Sequence, residues 1–139
     1  MQAATSSHTA QTVHLDEIGQ IAITVRDLAR STEFYRDTLG MKFLFDAGHM
    51  AFFQCGPIRL MLGASDHPAP AQPAATILYF KVSDIHAAHA SLTARGVPFS
   101  HAPHLVARMP GHDLWMAFLQ DPDCNPLALM SEAPPSRPA

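Results

Sequence analysis

Apolar and polar residues alternate from Gln20 to Val25. Ile21, Ile23 and Val25 share one face, and Gln20, Ala22 and Thr24 the other, which predicts a strand. The period then changes. Leu28, Thr32, Tyr35 and Leu39 recur at helical spacing with Phe34 beside them, after an Asp27 suited to the N-cap and before a Gly40 suited to the left-handed C′ position. Strands are predicted at 42–46, 49–55 and 58–63, the last alternating Ile58, Leu60 and Leu62 with Arg59, Met61 and Gly63. The order repeats downstream. A strand at 76–82 places Leu78, Phe80 and Val82 opposite Ile77, Tyr79 and Lys81. Asp84 then caps a helix whose Ile85, Ala88 and Leu92 face inward and which stops at Gly96. Strands near 103–109, 114–120 and 126–130 follow.

The repeat extends to words. Ile23-Thr24-Val25-Arg26-Asp27-Leu28 returns as Phe80-Lys81-Val82-Ser83-Asp84-Ile85. Met50-Ala51-Phe52-Phe53-Gln54 returns as Met116-Ala117-Phe118-Leu119-Gln120. Two copies of one β-α-β-β-β unit bury their apolar faces together, and the cleft they create suits a small ligand. The predicted fold is α+β, two such modules forming a cupped mixed β-sheet. Its limits are a tail at 1–16, module one at 17–64, a Pro-rich linker at 65–74, module two at 75–132 and a Pro-rich tail at 133–139.

Composition narrows the partners. Of 139 residues only 15% are charged, against about 25% in ordinary soluble domains, so apolar surface is left over for a subunit interface. The net charge of −3, without a basic stripe, argues against nucleic acid and anionic membrane. No apolar run approaches the roughly 20 residues that span a bilayer. The two cysteines, Cys55 and Cys124, form no CxxC, and no export signal opens the chain, so a cytoplasmic location is expected.

The segment Gln20-(x4)-Val25-Arg26-Asp27-Leu28-(x5)-Phe34-Tyr35-Arg36-Asp37-(x)-Leu39-Gly40-Met41 resembles the opening of the vicinal oxygen chelate superfamily. That group holds glyoxalase I, bleomycin-resistance proteins, fosfomycin-resistance enzymes, methylmalonyl-CoA epimerase and extradiol dioxygenases. Phe118-Leu119-Gln120-Asp121-Pro122-Asp123-Cys124-Asn125 resembles its closing turn, with Cys124 where Gly is usual. The resemblance covers about residues 17–132 and implies the same fold and a homodimer.

It also implies where a metal would sit. Enzymes of the family place His, Gln or Glu at four inward positions, on the first and last strands of each module, to hold a divalent ion. Here those positions fall on Gln20, Met61, Ile77 and Ala128. Met, Ile and Ala supply no hard donor, and one amide oxygen does not retain such an ion. The expected protein therefore has no metal and no cofactor, as in the family's drug-sequestering members.

The reading is a metal-independent protein that binds a small organic molecule. Gln20, Arg59, Met61, Ile77, Tyr79, Trp115 and Ala128 line the cleft, with His104 and His112 at its rim. Arg59 would orient a carboxylate or phosphate of the ligand. Trp115 serves either as a wall that stacks on a planar ligand or as core. Tyr79 with Lys81 is a candidate acid–base pair. The alternative is a metal-dependent lyase or dioxygenase using Gln20 with histidines of the 101–112 segment. An HxxH such as His101–His104 on a regular strand points its rings to opposite faces, which weighs against that alternative. His86 and His89 are expected on a solvated helix face. No phosphate-loop or nucleophile-elbow motif is present.

Overall fold

The computed structural model describes residues 13–64 and 76–135. The expected linker at 65–74 lies outside the described residues, as do residues 1–12 of the expected tail at 1–16 and residues 136–139 of the expected tail at 133–139. Strand β1 (Gln20–Val25) leads into helix α1 (Leu28–Glu33), then β2 (Lys42–Ala47), β3 (Met50–Cys55) and β4 (Ile58–Ala64). The second module runs β5 (Leu78–Lys81), α2 (Ile85–Ala94), β6 (Phe99–Arg108), β7 (Asp113–Gln120) and β8 (Pro126–Ala133). Each module closes its own four-stranded sheet, ordered β1-β4-β3-β2 and β5-β8-β7-β6. The β1–β4 and β5–β8 pairs are parallel and the rest antiparallel.

The caps act as their residue types dictate. The Asp27 carboxylate accepts from Arg30 N at 3.1 Å, and that of Asp84 from Ala87 N at 3.0 Å. Gly40 and Gly96 end the helical segments at φ 74° and 88°. The first helix departs from a uniform α-helix. It widens into a π-helical turn at Phe34–Thr38, where Leu39 N donates to Phe34 O at 2.9 Å. That turn carries Tyr35, which is completely buried.

One continuous core lies on the helix side of both sheets. Val25, Ala51, Phe53, Leu60 and Leu62 from the first meet Ile85, Ala117, Leu119, Leu127 and Leu129 from the second. The 121–125 turn clasps the modules through polar groups. Asp121 Oδ2 accepts from the Tyr35 hydroxyl and from Asn125 Nδ2, both at 2.8 Å. Its Oδ1 accepts from the backbone N–H of Asp123 and Asn125, both at 2.9 Å. Asp123 Oδ2 accepts from Arg26 N at 3.0 Å and from Ser31 Oγ at 3.3 Å, while Asn125 Nδ2 also reaches Thr24 O at 3.3 Å. Arg95 Nη1, just past α2, donates to the carbonyls of Asp37 and Thr38, each at 3.0 Å.

Cys124 occupies this turn at φ 66°, a left-handed conformation that crowds its Cβ. Relief of about 1–2 kcal/mol of strain exceeds the roughly 0.4–1 kcal/mol of extra unfolded-state freedom that a glycine brings. Cys124→Gly is therefore expected to raise the unfolding free energy by about 0.5–1 kcal/mol, measured by urea titration.

Candidate functional site

The sheet faces turned away from the helices carry the candidate residues. On the first sheet, cross-strand register sets Gln20, Arg59, Gln54 and Lys42 in one row and Ala22, Met61, Phe52 and Phe45 in the next. Gln20, Arg59 and Met61 thus share a surface, as expected. The Arg59 Nε–H donates to Gln20 Oε1 at 2.8 Å, and its guanidinium carbon lies 5.9 Å from the centre of the Phe52 ring. Phe52 stacks on Phe45 at 4.7 Å.

On the second sheet, Tyr79, Ala128, Phe118 and His101 form one row, and Lys81, Met130, Met116 and His104 another. Tyr79 meets Phe118 edge to face at 6.2 Å. Ala128 sits between them in register and is fully buried, because a methyl group lets the two rings close over it. Ile77 lies just before β5, outside the strand expected to include it, and is 38% exposed.

Trp115 is on the other side of its sheet. It shares the face of the buried Ala117 and Leu119 and packs its indole on His86 of α2 at 5.0 Å. It is half-buried against the core, the second of its two expected roles, and Phe118 stands on the inner face instead. His86 is exposed on α2, as expected of a solvated helix face, while His89 is half-buried and packs on Phe99 at 4.5 Å.

β6 is irregular, with register shifts between Phe99 and His101, His101 and His104, and Leu105 and Ala107. Each bulge breaks the two-residue alternation. Both imidazoles therefore come to Phe118, at 5.6 Å for His101 and 6.3 Å for His104, which removes the alternation argument against a shared face. Their ring centres are 6.3 Å apart, and His104 Nδ1 is paired with Ala102 O at 3.0 Å. Among the described residues no group of three or more His, Cys, Asp or Glu side chains could hold a metal ion.

At the end of this face Lys81 Nζ lies 2.8 Å from Glu132 Oε1, with His112 Nε2 at 3.8 Å from the other oxygen. The hydrogen bond from Lys81, and then its charge, hold the Glu132 carboxyl below the usual range. Lys81→Ala is expected to return Glu132 to ordinary carboxylate titration, read from its side-chain ¹³C shift. Glu132 binds Lys81 as an ion pair, so the candidate Tyr79–Lys81 acid–base pair lacks a free amine. Burial pushes the Cys55 thiol up, away from nucleophilic use.

The donor set does not fit the divalent ion that the fold's enzymes use. Of the four positions, Met61 and Ile77 are hydrocarbon or thioether, and Ala128 is roofed by Tyr79 and Phe118. The fourth, Gln20, has its carbonyl oxygen turned to a guanidinium, so a full positive charge already stands beside it.

Comparison with known proteins places this geometry. The model of the Glyoxalase/Bleomycin resistance protein/Dioxygenase superfamily matches residues 17–129. The chain is 25% identical to a catechol-2,3-dioxygenase of Bacillus subtilis (strain 168) over 89% of its own length. It spans 45% of that relative, less than half. Among solved structures, a glyoxalase family protein from Enterococcus faecalis superposes with a TM-score of 0.69 at 26% identity, over 84% of this chain and 98% of that one. A lactoylglutathione lyase from Agrobacterium tumefaciens gives 0.65 at 23% identity, over 84% and 93%, and shows likeness of fold.

Proposed function

The chain belongs to the glyoxalase/bleomycin resistance protein/dioxygenase superfamily, and within it we propose a metal-independent member that binds a small organic molecule on the inner faces of its two sheets. One observation carries the reading. The positions that would hold a cation present Met61, Ile77 and a covered Ala128, while the amide of Gln20 is held by Arg59. Around them stands an apolar and aromatic surface of Phe45, Phe52, Met61, Tyr79 and Phe118, which suits a planar ligand. A relative named for action on a catechol agrees with a small aromatic guest.

The cleft closes in a homodimer. Phe45, Met50, Ile77 and Tyr79 are 48%, 38%, 38% and 44% exposed in the single chain. A second copy that lays its inner face over this one removes that surface from water. Sedimentation is expected to give twice the chain mass. Among the described residues no helix is long and apolar enough to cross a membrane.

Protein purified without a histidine tag is expected to carry no stoichiometric divalent ion by elemental analysis. Small aromatic compounds are expected to shift the amide resonances of Phe52, Met61, Tyr79 and Phe118. Stoichiometric Ni, Mn, Fe or Zn that disappears in His104→Ala would replace this reading with a metal-dependent enzyme.

A further inference from the structure

We propose that the ligand is an amphipathic monoanion whose carboxylate is read by Arg59, an inference that rests on the binding site just described. A guanidinium carries five N–H donors in a rigid fork. Here Nε–H is committed to Gln20 Oε1 at 2.8 Å, and the backbone N–H of Arg59 to Gly19 O at 3.1 Å. Among the described residues no carboxylate pairs with Arg59 and no acceptor meets its Nη atoms. Four N–H groups remain on the two Nη atoms, and one parallel pair of them can grip a carboxylate.

Three other cations are already satisfied. Lys81 is held by Glu132, Arg36 by Asp37, and Arg95 by two carbonyls. The neighbour of Arg59 on β3, Gln54, is a neutral amide whose Nε2 donates to Gly56 O and Ile58 O. The row Gln20–Arg59–Gln54–Lys42 thus holds two cations and no acid.

The arrangement is also aimed. Gln20 fixes one edge of the fork, and Phe52 lies 5.9 Å from the guanidinium carbon. Side-chain entropy that a free arginine loses on binding is partly lost in advance. The next row, Met61, Phe52 and Phe45, is apolar throughout. A molecule with its carboxylate on Arg59 therefore lays its hydrocarbon body along that row. Gln20 acts as a positioning residue, and Arg59 as the contact.

The test uses the full chain and two probes of one shape, 2-naphthoate and 2-naphthamide, titrated by NMR on the amides and the Arg59 Nε–H. A charge-assisted, two-pronged contact is expected to favour the naphthoate by about tenfold. Arg59→Gln, shown to be folded by its spectrum, is expected to remove that preference while changing naphthamide affinity less than about twofold. Arg59→Lys keeps the charge, loses the fork, and is expected to fall between. Equal affinity for the two probes, or an unchanged preference in Arg59→Gln, overturns the assignment of Arg59 and leaves the apolar site standing. Binding of neither probe overturns both.

Discussion

Asp121→Ala is expected to lower the unfolding free energy by about 3–5 kcal/mol. Asp121 is 4% exposed and receives four hydrogen bonds from Tyr35, Asp123 and Asn125. Its removal leaves a completely buried phenol without an acceptor and opens the turn that joins the modules. Tyr35→Phe removes only the donor and is expected to lose about 1.5–3 kcal/mol. The two changes share one contact, so the double variant is less stable than wild type by less than the two losses added together. Urea denaturation of the four proteins closes that cycle.

The same contact sets an alkaline limit. Burial first, then the charge of Asp121 and the hydrogen bond to it, raise the Tyr35 hydroxyl well above its ordinary value of 10.0. A group whose folded value is raised contributes stability that is fully present below the unfolded value and lost as pH rises beyond it. The unfolded chain ionises near pH 10 while the folded one does not, so stability is expected to fall above that pH by up to about 1.4 kcal/mol per unit. Tyr35→Phe lacks this component of the decline. A slope equal to that of the wild type would show that Tyr35 ionises freely in the folded protein.

β1 and the starts of both helices were legible because a single period and a marked cap define them. β1 runs over the residues its alternation names, and Asp27 and Asp84 cap as their spacing predicts. β7 was harder. Met116 and Phe118 on one face face off against Trp115, Ala117 and Leu119 on the other, and when both faces are apolar the period no longer says which is inward. The repeat held the missing signal. Phe118 stands where Phe52 stands in module one, and the completely buried Ala117 where Ala51 does. Both phenylalanines line the inner face, and both alanines lie under a helix. The bulges of β6 have no counterpart in composition, so the shared side of His101 and His104 was hidden. The Tyr35–Asp121 bond joins residues 86 positions apart, and nothing local announces it.

Ala128→Glu tests the reading of the metal positions most directly, since it places a carboxylate where the family's enzymes have a donor. It is expected to destabilise the protein by about 3 kcal/mol or more near neutral pH, and to confer no stoichiometric ion. Ala128 has no exposed surface, and Leu127 and Leu129 on either side are turned into the core. A carboxylate there must either part the Tyr79 and Phe118 rings or stay dry and unpaired. Burial raises the carboxyl above its unfolded value, so the unfolded chain ionises first as pH increases. The damage is then smallest below about pH 4 and grows by up to roughly 1.4 kcal/mol per unit above it, until the folded group ionises too. A metal cannot rescue the variant, because Arg59 keeps its charge beside Gln20 and Met61 and Ile77 remain poor donors. Wild-type stability, or a Tm that rises on adding Mn²⁺ or Ni²⁺, would mean that the rings are a movable lid over a latent metal position.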